Sequence, residues 1–348
     1  MHSNVSYSGI TTKIKAMEGS LITPKMYEEI SYLTSVPEFI TYLREKTSYA
    51  DELKNVDIMS LHRDDIERLL STGVYDDFKK LYRFAGAEQR NYLNLYFKKF
   101  EADVLIKCIR RVITQSNDVF TSVFADDFFT SHSCLNVAAL ASASTMSELI
   151  ELTRGSEYYE ALNTIHSDTA GLFDYELSLE LYCYRTIWRT ITRKCSGTDA
   201  DMLIYCYGTR IDLLNLSWIQ RGKFNLKLDE GQLFSLIIPY YYKLKAKELE
   251  SLIHSGSVDE FNLILSETYY GRHYDNINAD NLYGMYDYLV PWVTDRCYRK
   301  NPYSIACAYS YLIKKEQELS RLTRALECIR YGLNQRKILE YMNGGTFR

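Results

Sequence analysis

Hydrophobic residues recur along this chain with the spacing of α-helices. Towards the C-terminal end an apolar residue falls at every seventh position, at Ile305, Leu312, Leu319, Leu326 and Leu333. Such positions share one helix face, so the stripe predicts a long amphipathic helix. Similar spacing over residues 14–21, 183–193 and 205–220 predicts further helices, and no alternating run bounded by Asn-Gly or Asp-Gly turns predicts a strand. We therefore predict an all-α protein.

One short motif occurs three times, at residues 35–39, 145–149 and 257–261. Each copy has a hydroxyl residue, then a glutamate three positions later, then a large apolar residue. This is the pattern of a capping box, in which the hydroxyl accepts the N3 amide and the glutamate reaches back to the N-cap amide. The glutamates are 148 − 38 = 110 and 260 − 148 = 112 residues apart. Each copy is followed by tyrosine, at Tyr49, Tyr158 and Tyr159, and Tyr269 and Tyr270.

A second marker recurs in step with the first. An acidic residue precedes an arginine by nine, nine and eight positions, in the pairs Glu101 and Arg110, Asp212 and Arg221, and Glu316 and Arg324. The acids are 212 − 101 = 111 and 316 − 212 = 104 residues apart. Two markers with the same phase indicate an internal repeat. We predict three helical domains at 1–115, 116–222 and 223–348, with Ser116–Ala125 joining the first two.

These acids and arginines are candidate docking residues. Eight or nine helical residues span roughly 12–13.5 Å, which is too far for the two members to pair within one helix. Each must therefore meet a partner on another helix, another repeat or another protein. We favour ion pairs that fix how the repeats dock, and the alternative is a set of polar contacts offered to a partner protein.

Composition narrows the function classes. The formal net charge of −4 provides no broad basic field for nucleic acid. No signal peptide is visible, and no apolar run approaches the ~20 residues that span a bilayer, so a soluble chain is expected. The eight cysteines are scattered without a CxxC motif, which is typical of buried thiols in a reducing cytoplasm.

Known catalytic motifs are absent from the sequence. It contains no phosphate-binding loop, dinucleotide fingerprint, HExxH or GxSxG, and its six histidines are isolated. We predict no catalytic, cofactor-binding or metal-binding residue and hence a protein that is not an enzyme. An all-α enzyme whose site is assembled from distant residues is the alternative.

Several segments together resemble the C (or d) subunit of V-type and A-type rotary ATPases. They are 13–18 with Leu21-Ile22 at the start, then Asp212, Asn215 and 221–223, then 311–318 with Leu322, Gly332-Leu333 and Ile338. The resemblance covers nearly the whole chain, and it adds Asn215 to the candidate polar residues. The first repeat differs from the family pattern, because Glu101 and Val104 stand where Asp and Asn are common.

This resemblance implies a funnel of three similar helical domains about a pseudo-threefold axis, with a central cavity. It implies a central-stalk subunit on the cytoplasmic face of the membrane, peripheral, without a transmembrane segment of its own. Its partners would be the subunits of the membrane rotor ring and of the central stalk, with no nucleic acid. It would transmit torque during ATP-driven proton or sodium transport, or ion-driven ATP synthesis, and perform no chemistry. The alternative is a helical repeat scaffold that binds other proteins or peptides.

Overall fold

The computed structural model describes residues 2–54, 63–115, 126–165, 170–274 and 277–343, so the predicted linker Ser116–Ala125 lies outside the described residues. Within these ranges the chain forms helices and no strand, which confirms the all-α prediction. The first five helices are α1 (His2–Glu18), α2 (Pro24–Ser31), α3 (Val36–Lys46), α4 (Arg63–Phe84) and α5 (Ala87–Thr114). The next six are α6 (Asp127–His132), α7 (Val137–Ser142), α8 (Met146–Leu152), α9 (Tyr159–Asn163), α10 (Leu172–Lys194) and α11 (Gly197–Gln220).

A π-helical turn, Arg221–Asn225, continues directly from α11. The remaining helices are α12 (Glu230–Leu236), α13 (Ala246–His254), α14 (Val258–Glu267), α15 (Tyr269–His273), α16 (Leu282–Lys300), α17 (Ala306–Arg330) and α18 (Gln335–Met342). The helices predicted from apolar spacing at the start, at 183–193, at 205–220 and at the C-terminal end correspond to α1, α10, α11 and α17.

The chain divides into two compact units. The first unit comprises residues 1–86, 196–235 and 241–348, and the second comprises 87–195 and 236–240. The division into three domains at residues 115 and 222 stays a prediction.

Helix α17 organises the core of the first unit. It packs against α1, α3, α4, α16 and α18. The seven-residue stripe is buried: Ile305, just before α17, and Leu312 and Leu326 within it are fully buried. Leu319 and Leu333 are partly buried and pack against the cluster that contains Leu326. Within this unit α11 packs against α16 and α13.

Helices α5 and α10 lie side by side in the second unit. The short helices α7 and α8 pack on α5, and α9 packs on α10. Aromatic rings fill the space beneath them, with the ring centroids of Phe97 and Phe129 5.3 Å apart and those of Phe97 and Phe100 6.2 Å apart. These rings are buried, and their burial stabilises this unit.

All three capping boxes start helices as predicted. The hydroxyls of Ser35, Thr145 and Ser257 accept the amides of the glutamates that begin α3, α8 and α14. The returning carboxylates of Glu38, Glu148 and Glu260 accept the amide one residue before the N-cap, from Thr34, Ser144 and Gly256, at 2.9, 2.8 and 2.6 Å. The apolar residue that follows each glutamate is fully buried, which anchors every copy to a core.

Candidate functional site

Three buried carboxylates are each bound by a buried tyrosine. Glu101, Asp212 and Glu318 are 5%, 0% and 3% exposed. The hydroxyls of Tyr158, Tyr270 and Tyr49 donate to them at 2.8, 3.1 and 3.0 Å, respectively. A buried carboxylate without partners would destabilise the fold by several kcal/mol, so these tyrosines are part of what makes the burial possible. We call these three contacts the acid–tyrosine pairs.

Each tyrosine of a pair follows one capping box at nearly the same distance. The intervals from the capping hydroxyl are 49 − 35 = 14, 158 − 145 = 13 and 270 − 257 = 13 residues. A hydroxyl residue stands two positions before each tyrosine, at Thr47, Ser156 and Thr268. In the first two copies this hydroxyl accepts the tyrosine's own amide at 3.2 Å. In the third it accepts the next amide, that of Gly271, at 3.2 Å. These local hydrogen bonds form a turn from which each tyrosine side chain points into the core.

Glu101 lies on α5 in the second unit and has two hydroxyl donors. Tyr158 binds one carboxylate oxygen and Ser133 binds the other at 2.6 Å. Burial raises the pKa of Glu101, although both hydrogen bonds favour the charged form. Burial also raises the pKa of Tyr158 well above its usual value, so its hydroxyl keeps its proton and remains a donor.

Asp212 lies on α11 and binds the backbone of the segment that precedes α13. Its carboxylate accepts the backbone amides of Tyr242, Lys243 and Leu244 at 3.2, 2.7 and 3.1 Å, in addition to the Tyr270 hydroxyl. Burial raises the pKa of Asp212 to about 6, since the loss of hydration outweighs these hydrogen bonds. Gly208 lies one helical turn before Asp212, and its lack of a side chain lets this segment pack against α11. A Cβ at this position would lie 2.5 Å from the Tyr242 ring.

Glu318 lies on α17 and has three kinds of donor. One oxygen accepts the Ile22 amide at 2.6 Å, and the other accepts the Tyr49 hydroxyl and the Lys315 ammonium, the latter at 2.6 Å. Lys315 is itself buried, and its Nζ lies 4.2 Å from the centroid of the Tyr49 ring. Gly73 leaves room for that ring, since a Cβ there would lie 2.9 Å from it.

The structure distributes the predicted polar residues over buried and exposed positions. Glu101 and Asp212 belong to acid–tyrosine pairs, and Asn215 is fully buried near Asp212 on α11. In the third copy the paired acid is Glu318, whereas Glu316 lies half-buried on the same helix. With Glu318 as the third acid, the intervals become 212 − 101 = 111 and 318 − 212 = 106 residues.

Two of the predicted arginines pair with acids on another helix. Arg110 is 59% exposed and pairs with Glu176 of α10 at 3.2 Å. Arg324 of α17 pairs with Asp287 of α16. Arg221 is exposed in the π-helical turn. Lys315, Ser133 and Asp287 are polar partners that sequence reasoning missed. The hydroxyl–x–tyrosine pattern after each capping box is the signal that identifies the tyrosines.

The described residues contain no group of three or more His, Cys, Asp or Glu side chains arranged to hold a metal ion. In the same part of the chain, no helix is long and apolar enough to cross a membrane. The acid–tyrosine pairs are closed contacts in which donors and acceptors satisfy each other.

Comparison with known proteins gives one consistent result. The family model described as ATP synthase (C/AC39) subunit matches residues 10–341. Among curated proteins, the chain is similar to the A-type ATP synthase C subunit of Thermococcus kodakarensis, with 23% identity over 97% of this chain and 90% of the relative. The corresponding protein of Pyrococcus abyssi is 24% identical over 96% of this chain and 89% of the relative.

The A-type ATP synthase C subunit of Methanosarcina barkeri is 24% identical over 91% of this chain and 87% of its own length. Such identities over nearly full lengths confirm the resemblance inferred from the first, middle and last segments of the sequence. They agree with a chain whose described residues form helices and no strand. The chain belongs to the ATP synthase (C/AC39) subunit family of V/A-type ATPases.

Proposed function

We propose that this chain is the central-stalk component that couples a membrane rotor ring to the rotating stalk of a V/A-type ATPase. The observation that carries the proposal is the match to the family over residues 10–341. In this role the chain transmits torque between its partners and catalyses no reaction itself. It acts as a peripheral subunit on the cytoplasmic face of the membrane.

We further infer that three similar helical domains surround a pseudo-threefold axis and a central cavity. The three acid–tyrosine pairs support this arrangement, because each joins the same kind of helix to the same kind of capped turn. The intervals of 111 and 106 residues between their acids exceed the roughly 33–47 residues of common helical repeat units. A short-period repeat scaffold is therefore the less favoured function.

A coupling protein must resist deformation, and the acid–tyrosine pairs suit this requirement. Buried polar contacts are directional, so they specify one arrangement of the helices that carry them. In the first unit Glu318 ties α17 to Ile22 and Tyr49, which are 296 and 269 positions away in the sequence. Asp212 similarly ties α11 to residues 242–244 and to Tyr270.

Burial separates the predicted polar residues into two proposed roles. Glu101, Asp212 and Asn215 are buried, so we assign them to internal positioning. Arg110 and Arg221 are exposed, so we assign them to partner contact. Arginine suits that role because its planar guanidinium can bind carboxylates with two parallel hydrogen bonds.

Affinity purification from native membranes tests the coupling role. A tagged copy of the full chain should recover subunits of the membrane ring and of the rotating stalk in a constant ratio after extraction with a mild detergent, identified by mass spectrometry. Recovery of the chain alone, or with unrelated peptides, would contradict the proposal.

Arg221→Ala tests the assignment of an exposed arginine, with Arg193→Ala, another exposed helical arginine, as its matched control. Arg221→Ala should lower the recovery of partner subunits at high salt while leaving the unfolding midpoint of the isolated chain unchanged. Equal recovery from both variants would remove Arg221 from the interface and leave the coupling role untouched.

A further inference from the structure

Two cysteine thiols meet between α11 and α16 in the first unit. The sulfur atoms of Cys206 and Cys297 are 3.8 Å apart, and both residues are buried. A disulfide bond has a sulfur–sulfur distance of about 2.05 Å. These are therefore free thiols in contact, within a short movement of bonding distance.

One of the two cysteines lines a cleft that opens to solvent. Cys297 lines a cleft of about 420 Å³ together with Arg296, Lys300 and Asp201. The two cations give its wall a net positive charge, since Asp201 offsets only one of them. Such a wall favours a thiolate and attracts anionic reagents.

The two thiols are inequivalent. A hydrogen bond from Cys206 lowers the pKa of Cys297 and outweighs the opposing effect of burial, and Arg296 and Lys300 also lower it. The same contact, followed by burial, raises the pKa of Cys206 well above its usual value. One thiol is thus suited to attack an incoming reagent, and the other lies where it can displace that reagent.

We propose that Cys297 and Cys206 form a thiol-modification site that reacts with small anionic disulfides and ends as an intrachain disulfide. The Cys297 thiolate attacks one sulfur of glutathione disulfide, which breaks that disulfide and releases one glutathione thiolate. The Cys206 sulfur then loses its proton and attacks the Cys297 sulfur, releasing the second glutathione. Both cysteines are oxidised, and one glutathione disulfide is reduced to two glutathione molecules.

Mapping of disulfides in the purified full-length chain tests this site. After incubation with glutathione disulfide under native conditions, remaining thiols are alkylated in denaturant and peptides are analysed by mass spectrometry. We expect a cross-link between the peptides that contain Cys206 and Cys297, the loss of two free thiols, and reversal by dithiothreitol. Cys108 serves as the internal control, because it is buried and burial raises its pKa to about 12.

Two further measurements separate this chemistry from general thiol oxidation. Cys206→Ser should stop the reaction at a glutathione adduct on Cys297, and Cys297→Ser should leave Cys206 unmodified. In the unaltered chain at low salt, glutathione disulfide should react faster than cationic cystamine, because Arg296 and Lys300 face the cleft. The proposal is overturned if Cys297 reacts no faster than Cys108, if Cys206 and Cys297 are not linked, or if cystamine reacts faster.

Discussion

Removal of the Glu318 carboxylate should be the most destabilising single change among the predicted and observed polar residues of α17. Glu318→Ala leaves the Lys315 ammonium buried without its anion and leaves the Tyr49 hydroxyl and the Ile22 amide without their acceptor. Breaking one partner of a buried ion pair costs about 3–5 kcal/mol. Loss of the two neutral hydrogen bonds adds on the order of 1 kcal/mol each. We therefore expect the free energy of unfolding to fall by roughly 5–7 kcal/mol.

Urea denaturation of the isolated chain, followed by circular dichroism, measures this loss. Glu316→Ala is the matched control, since it removes the same side chain two positions away, where the residue is only half-buried. A change at a partly exposed ion site is worth ~1 kcal/mol or less, so the control should retain most of the stability. The double variant Lys315→Met with Glu318→Gln should recover part of the loss, because no buried charge then remains.

Two results would contradict this role of the buried pair. One is a Glu318→Ala variant that is no less stable than Glu316→Ala, and the other is a double variant as unstable as the sum of its single substitutions. The first result would mean that the buried pair contributes nothing net. The second would mean that Lys315 and Glu318 act independently.

Three other changes test the remaining contacts. Tyr158→Phe removes the donor to Glu101 and should lower the free energy of unfolding in urea by about 1–2 kcal/mol. Tyr159→Phe, whose hydroxyl is exposed, should be nearly neutral. Equal effects of the two variants would contradict the pair of Glu101 and Tyr158. Because the pKa of Asp212 is raised from 3.8 to about 6, its contribution to stability should fall as pH rises through 6. Asp212→Asn should therefore unfold with a weaker pH dependence between pH 4 and pH 7, and an unchanged slope would refute this assignment. Ser257→Ala should lower stability by about 1 kcal/mol through loss of the cap on α14, and a neutral result would contradict that cap.

The sequence predicted the helix starts well because capping chemistry is local. A hydroxyl and a glutamate three positions apart contain all the atoms that the motif requires, so Ser35, Thr145 and Ser257 could be identified without tertiary structure. The long helix α17 was equally accessible, since its stripe from Ile305 to Leu333 depends only on helical periodicity. Both predictions rest on interactions within a few residues.

The polar contacts were harder to predict because they join distant segments. Glu316 and Glu318 are two positions apart and both flank the apolar stripe, so spacing alone did not show which one turns inward. The structure places Glu318 against Ile22 and Tyr49, more than 260 residues away in sequence. The tyrosines after the capping boxes were visible as a repeated feature, yet their hydroxyls had no predicted acceptors.

The partners of the arginines could not be predicted from the repeat interval. Arg110 and Arg324 recur in phase with the acids, which suggested a shared role. In the structure they pair with Glu176 and Asp287, which lie on neighbouring helices and carry no repeated signal. Recurrence at a nearly constant interval therefore indicated corresponding positions along the chain. It did not indicate which side chains pair.

ATP-driven ion transport in membrane vesicles, measured together with ATP hydrolysis, tests the proposed coupling role most directly. Vesicles depleted of this chain should lose ion transport while their catalytic head retains hydrolysis, and addition of the purified chain should restore transport. Transport that persists at its full rate without the chain would contradict a coupling function.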